Sequence, residues 1–243
     1  MTSLNPDTKR KLQKVSTATL TTALFKRGFR NQFMQGPQRI NQGANMVGFA
    51  YTLRYIPARE DIDVLESFAD RENAQRKGVE ECPDGAVFVI DSRGDATAAS
   101  AGCILATRLM RLGCAGIVTD GGFRDTPEIA GLDMPAYHTR PSAPTNLTKH
   151  HAVGINEPIA CGGISVFPGD VIVGDNEGVV CIPRDIADEV ADEAVSMTDF
   201  EDFVLEMVQE GASTFGLYPP TDPVTKEKYD AWRRANGNRA LAG

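Results

Sequence analysis

The sequence predicts an α/β domain, and three observations predict it. Two apolar runs, Ala86-Val87-Phe88-Val89-Ile90 and Ala115-Gly116-Ile117-Val118, flank an amphipathic segment. The second run ends on a glycine-rich loop, Gly121-Gly122-Phe123-Arg124-Asp125. Residues 152–183 then break into short apolar runs between turn residues. The first two features read as strand, turn, helix, strand and loop, and the third as β-hairpins. The 243 residues, 42% hydrophobic, are enough to bury a full core. No internal repeat or interdomain linker divides them. One domain over 1–243 is expected, with a core at about 15–195 and a C-terminal helical, proline-rich extension.

In chain order, residues 1–14 are polar and basic and read as a loosely held start. Ser16 caps a helix carrying Leu20, Ala23 and Leu24, which Gly28 stops. Residues 35–48, rich in Gly, Asn and Gln, read as loop, and residues 49–56 as a strand closed by Pro57. The charged stretch 58–81 is an exposed helix or long connection, with Ile62, Leu65 and Phe68 on one face. Asp84-Gly85 launches the strand 86–91. In the next helix Ser100 and Asp95 are rival caps, with Ala101-Gly102-Cys103-Ile104 as the first turn. Thr126 caps a short helix with Pro127 at its first position and Gly131 at its end. Residues 134–139 form a strand. Asp185 caps a long acidic helix with Val190, Ala194 and Val204 toward one side. The tail from Tyr218 has no obvious core of its own and must pack on the body or on a neighbour.

Several function classes are excluded. A net charge of −8 and a pI near 5.0 argue against a broad nucleic-acid surface. No apolar run approaches the roughly 20 residues that span a bilayer, and the N-terminus lacks the apolar core of a secretory signal. The five cysteines are odd in number and form no CxxC pair, which suits reduced thiols in the cytoplasm. Neither GxGxxG nor GxxxxGK[ST] joins a strand to a helix, so dinucleotide, nucleoside triphosphate and methyltransferase-type sites are disfavoured. There is no GxSxG, and His138, His150 and His151 read as structural or rim residues. Cys103 as a nucleophile has little support, since isolated thiols more often pack as small hydrophobes.

The candidate site is Arg124-Asp125 with the helix start near Gly102. A planar guanidinium can bind a carboxylate through two hydrogen bonds. A lone carboxylate with water and substrate oxygens is a normal magnesium environment. Small residues at 96–103 let a ligand approach free helix-start amides, where the helix dipole favours an anion. Bland alternatives stand beside both: an exposed ion pair of little energetic weight, and small residues that merely permit tight helix–sheet packing.

The pattern GD…AG-x-I-L-A…G-x-A-G-I-V-T-D-G-G-F-R-D…E-I, followed by V-F-P-G-D-V-I-V-G-D-N-E-G-V-V-C-I-P, resembles the RraA-like family. That family includes 4-hydroxy-4-methyl-2-oxoglutarate aldolases and the RraA regulators of ribonuclease E. The resemblance covers about residues 15–195. It implies an α/β sandwich with a swivelling-domain-like β core flanked by helices. It also implies trimers or pairs of trimers with sites at subunit boundaries. By position, the amides of Gly102, Cys103, Ile104 and Leu105 would hold a 2-oxo acid, Arg124 would bind it, and Asp125 would ligate Mg2+ or Mn2+ largely through water. The regulator branch typically lacks the carboxylate after this arginine, so Asp125 favours an enzyme. The characterised aldolases carry an acidic residue at the position of Cys103, which is the one departure. The expected function is a metal-dependent lyase releasing pyruvate from a 4-hydroxy-2-oxo acid, with oxaloacetate decarboxylation as a side activity. The alternatives are a non-catalytic regulator that binds a ribonuclease, or the same site acting as hydrolase or dehydratase on a sugar-derived 2-oxo acid.

Overall fold

In the computed structural model, which describes residues 4–237, the chain opens with helix α1 (Pro6–Leu12), capped by the Asn5 side chain. The basic start is therefore a docked helix rather than a loose one, because Leu12 is fully buried and Thr8 donates to Asp188. Ser16 caps α2 (Thr17–Lys26) by accepting the Thr19 N–H, and Gly28, at φ 86°, lets the chain turn away. Strand β1 (Gln38–Arg39) interrupts the expected loop, and β2 (Met46–Pro57) begins ahead of the expected position 49.

The α/β part follows. It comprises α3 (Ala74–Glu80), β3 (Ala86–Asp91), β4 (Ala99–Ala101), α4 (Cys103–Arg111), β5 (Gly116–Thr119), β6 (Gly122–Phe123), α5 (Thr126–Ala130), β7 (Ala136–His138) and β8 (Arg140–Pro141). The segment expected to be all-β gives β9 (His150–Ile155), β10 (Ile159–Cys161), β11 (Ile164–Val166), β12 (Val171–Gly174) and β13 (Val179–Ile182). Helices α6 (Ala187–Gln209) and α7 (Pro223–Asn236) end the described chain.

The main sheet runs β1-β7-β5-β3-β2-β12-β13, and β9 also pairs with β2. Strands β2, β3, β5 and β7 are parallel neighbours, joined through α3, α4 and α5. Such crossovers cover a sheet on both faces, so its strands read as unbroken apolar runs. In β3, Phe88 and Ile90 pack toward α4, while Val87 and Val89 pack toward the β10–β11 hairpin, beside Cys161, Ile164 and Val166. The length of β2 lets it serve two antiparallel partners: β12 meets its first half at Phe49 and β9 its second half at Leu53. Helices α1, α2 and α6 close the remaining face over Val47, Phe49, Val171 and Val180.

Asp185 does not cap α6. It sits in a 3-10 turn (Arg184–Ile186), and the helix begins without a side-chain cap. The tail packs on the body as expected: Trp232 of α7 lies 5.8 Å from Phe203 of α6, and its indole N–H donates to Glu206. Among the described residues no helix is long and apolar enough to cross a membrane.

Candidate active site

Each of three parallel strands breaks at its carboxyl end and resumes one layer further out. After β3, β5 and β7 the chain bends and forms β4, β6 and β8, a second small sheet in the order β4-β6-β8. A bend of this kind strands backbone amides, and Asp120 collects them. Its carboxylate accepts the N–H groups of Ser92 at 2.7 Å, Gly94 at 3.0 Å and Gly162 at 3.4 Å. Burial nonetheless pushes the Asp120 carboxyl above its ordinary range, with the amides pulling the other way. Ser92, Ser100 and Thr119 share a buried knot of hydroxyls beneath it, with Ser92 and Ser100 oxygens 2.6 Å apart.

The paired glycines belong to this bend. A β-carbon on Gly121 would stand 2.6 Å from Ser100 Oγ, and one on Gly122 would stand 2.7 Å from the Ser142 β-carbon. Gly121-Gly122 is a close-packing device, and the part of the loop that faces the cavity is Arg124-Asp125. The expected helix start is corrected in the same way. Ser100 and Ala101 lie in β4, so Ser100 caps nothing, and Asp95 bonds Thr97 within its own turn. Helix α4 starts instead after Gly102, with no side-chain cap. Its first intrahelical hydrogen bond runs from Ala106 N to Gly102 O. The amides of Cys103, Ile104 and Leu105 therefore occupy the first turn, where a helix has no acceptors of its own.

Strand β6 delivers the second half. Arg124 N donates to Ala101 O at 3.1 Å, which locks the two strands side by side. Asp125 then takes the left-handed conformation, φ 57° and ψ 41°, and is itself the residue before α5. Thr126 thus lies inside the helix, not at its cap, because the reversal at Asp125 uses up that position. The left-handed turn folds the carboxylate back over α4, where Asp125 Oδ2 accepts the Cys103 N–H at 3.3 Å. Arg124 Nε stands 3.5 Å from the same oxygen. Both charged side chains stay open to solvent, 47% for Arg124 and 34% for Asp125, so their mutual attraction is screened and leaves them free to bind.

These residues line a cavity of about 160 Å3 shared by Gly102, Ile104, Leu105, Arg124 and Asp125. That is below the roughly 300 Å3 at which drug-sized sites begin, and it suits a small organic acid. Cys103 stands beside the cavity rather than in its wall; burial and the Asp125 carboxylate push its thiol up, so it stays protonated at neutral pH. A larger groove of about 490 Å3 lies beside α2, but there the helix start is already capped by Ser16 and by Asp175, which accepts the Thr17 N–H. Chemistry, not size, selects the smaller cavity.

The histidines behave as expected from sequence. His150 stacks on Tyr55, His151 bonds Asp63 at 2.8 Å, and His138 stacks on Phe123, accepting its N–H at 3.3 Å. Sequence reasoning missed the opposite wall: Phe68, Gln75 and Arg76 from the charged stretch, with Thr145 and Asn146. The stretch 58–81 reads as exposed and charged, so nothing in its sequence marks Gln75 or Arg76 for a cavity wall. Gln75 is 2% exposed and donates to Tyr55 Oη at 2.7 Å and Ser100 O at 2.8 Å, tying α3 to β4.

A family model described as RraA-like, Aldolase/RraA, matches residues 17–181. The chain belongs to the RraA-like family. It is 34% identical over 155 residues to a Halalkalibacterium halodurans protein named "Putative 4-hydroxy-4-methyl-2-oxoglutarate aldolase", covering 64% of this chain and 68% of that one. Among solved structures it resembles Streptomyces coelicolor RraAS2, described as an unusual member of the RNase ES inhibitor RraA protein family. The TM-score is 0.74 at 30% identity, over 84% of this chain and 98% of that one. A Pseudomonas syringae protein shares the fold at TM-score 0.78 and 22% identity, over 90% of this chain and 96% of that one.

Proposed function

We propose that this RraA-like protein is a divalent-metal-dependent lyase that cleaves a 4-hydroxy-2-oxo acid and releases pyruvate. One observation carries the reading: the Asp125 carboxylate is folded to within 3.3 Å of the Cys103 amide at an uncapped helix start, with the Arg124 guanidinium beside it. Anion-binding amides, a fixed cation and a metal-binding oxygen thereby meet around one small cavity. The name of the Halalkalibacterium relative supports the same chemistry.

The donor set fits Mg2+ or Mn2+. Asp125 Oδ1 has no hydrogen bond among the described residues, and no group of three or more His, Cys, Asp or Glu there could hold an ion alone. An ion at Asp125 must complete its shell with water and substrate oxygens, as magnesium sites commonly do. When bound, it supplies Lewis-acid polarisation of the 2-oxo group.

The chain's own residues do the rest. The amides of Ile104 and Leu105 take the substrate carboxylate, aided by the helix dipole, while the Cys103 N–H holds the Asp125 carboxylate in place. As the C3–C4 bond breaks, its electron pair passes to C3 and negative charge grows on the 2-oxo oxygen. Arg124 is placed to stabilise that charge. The C4 hydroxyl loses its proton to form the carbonyl product, and protonation at C3 yields pyruvate. Cys103, held protonated, cannot accept the hydroxyl proton, which goes to a water in the site. Oxaloacetate, losing carbon dioxide, passes through the same enolate. Ile104, 77% exposed in the cavity wall, is apolar surface that a neighbouring subunit of a homo-oligomer would cover. Release of pyruvate from 4-hydroxy-2-oxo acids, abolished by EDTA and by Asp125→Ala, tests the proposal; activity surviving either treatment refutes it.

A second reading, a non-catalytic protein that binds a ribonuclease, is favoured by the likeness to RraAS2 and by a cysteine at 103. Recovery of a ribonuclease by pull-down, with no heat of Mg2+ or Mn2+ binding in calorimetry, selects that reading instead.

A further inference from the structure

We propose that Arg76 is the specificity-determining residue of this site, holding a second carboxylate at the end of the substrate remote from its 2-oxo group. The inference rests on the 2-oxo acid reading of the Arg124 pocket.

Arg76 sits on α3 and lines the same cavity as Arg124 and Asp125. Its Nε is buried and has no hydrogen-bond partner among the described residues. Buried donors are rarely left so, and the Nη groups make no hydrogen bond among the described residues either, so the cavity wall carries a guanidinium whose outer edge has no acceptor. Nor does Arg76 have a carboxylate partner within the described chain. Two nearby acidic residues are taken: Glu72, just before the helix, by Lys77 at 2.6 Å and Glu80, on it, by Arg108 at 2.7 Å.

The side chain is also held ready. Its guanidinium carbon lies 4.5 Å from the centre of the Phe68 ring, and Phe68 lines the cavity too. Stacking occupies one face of the guanidinium and leaves its in-plane N–H edge for a carboxylate, which pairs with two parallel bonds. One residue away, Gln75 bonds Tyr55 and Ser100 and fixes α3 against β4, the strand that leads into Gly102. Arg76 is thereby set at a constant distance from the helix-start amides that take the first carboxylate. Two cations on separate elements, Arg124 on the β6 side and Arg76 on the α3 side, suit a dianion whose charges sit at opposite ends.

The test uses the full-length protein with Mg2+ and two probes, pyruvate and 2-oxoglutarate, titrated by calorimetry. The wild type is expected to bind 2-oxoglutarate at least 10-fold more tightly than pyruvate. In Arg76→Gln that advantage disappears, a loss of about 10- to 100-fold on the size of one charge-assisted pair. Pyruvate binding stays unchanged, which also shows that the variant is folded. Arg76→Lys restores part of the preference. Equal wild-type affinities, or a variant that weakens both probes alike, overturns the proposal. Pyruvate release without discrimination sinks this inference and spares the lyase reading. Discrimination without pyruvate release does the reverse, and binding of neither probe removes both.

Discussion

Gly102 and Asp125 touch across the candidate site: a β-carbon on Gly102 would lie 2.7 Å from Asp125 Oδ2 and 2.9 Å from Arg124 Cγ. The Gly102 backbone is extended, φ −129° and ψ −179°, which any residue can adopt. The glycine is there for space. It lets the carboxylate loop close over the start of α4.

Gly102→Ala separates folding from function on this basis. The backbone tolerates alanine, so the variant should fold with a melting temperature within about 5 °C of wild type. The Arg124-Asp125 loop must shift by several tenths of an ångström, and pyruvate release should fall about 100-fold. A thermal melt and a coupled pyruvate assay on one preparation check both halves.

At Asp125 the left-handed backbone makes the choice of substitution informative. Asn accepts that conformation and keeps the shape, so Asp125→Asn should stay within about 0.5 kcal/mol of wild type in a urea melt. Asp125→Ala should lose about 1 kcal/mol or more, since alanine pays for a positive φ. Both should lose Mg2+ binding and about 1000-fold in turnover, the equivalent of several kcal/mol of charge stabilisation.

Cys103 contributes its amide, not its sulfur. Burial and Asp125 both hold the thiol protonated. Cys103→Ser should therefore retain turnover within about threefold, and iodoacetamide at pH 7.5 should modify Cys103 more slowly than a free thiol. Loss of activity in Cys103→Ser of about 100-fold or more contradicts this assignment.

Acid should loosen the fold beneath the site through His138. Burial lowers its imidazole from 6.5 to about 4, and its unprotonated Nδ1 accepts the Phe123 N–H. The unfolded chain takes up this proton first, so the stabilisation is complete above about pH 6.5 and drains away toward pH 4. The loss should approach about 3 kcal/mol below pH 4. Asp120, whose carboxyl is raised by burial, acts in the opposite direction, since the folded state then binds the acid proton more readily. Urea melts of wild type and His138→Asn at pH 7 and pH 4.5 isolate the histidine. The wild type should lose about 2 kcal/mol more than the variant, which keeps an acceptor oxygen but cannot titrate. Parallel losses would assign the acid sensitivity elsewhere.

Much of the fold was legible because it follows local rules. The double-sided burial of β3 and β5 leaves continuous apolar runs, and the hairpin turns of 159–182 leave glycine, proline and aspartate at short intervals. The helix caps were less legible. Ser100, Thr126 and Asp185 are all good capping residues, yet none caps, because strand β4, the reversal at Asp125 and a 3-10 turn claimed those positions. The small second sheet had no signal of its own: strands of two or three residues are shorter than any periodicity can mark.

For this protein the sequence by itself determined the α/β class, the family, and the pairing of Arg124 with Asp125 at a strand end. Those are properties of adjacent residues and of repeating patterns. Only the tertiary structure decided that Gly121-Gly122 serves packing, that Asp125 reaches the Cys103 amide, and that Arg76 joins the same cavity from a segment 48 positions before Arg124. Contacts between distant elements depend on how the sheet bends and which helix lies over it, and no spacing along the chain records that.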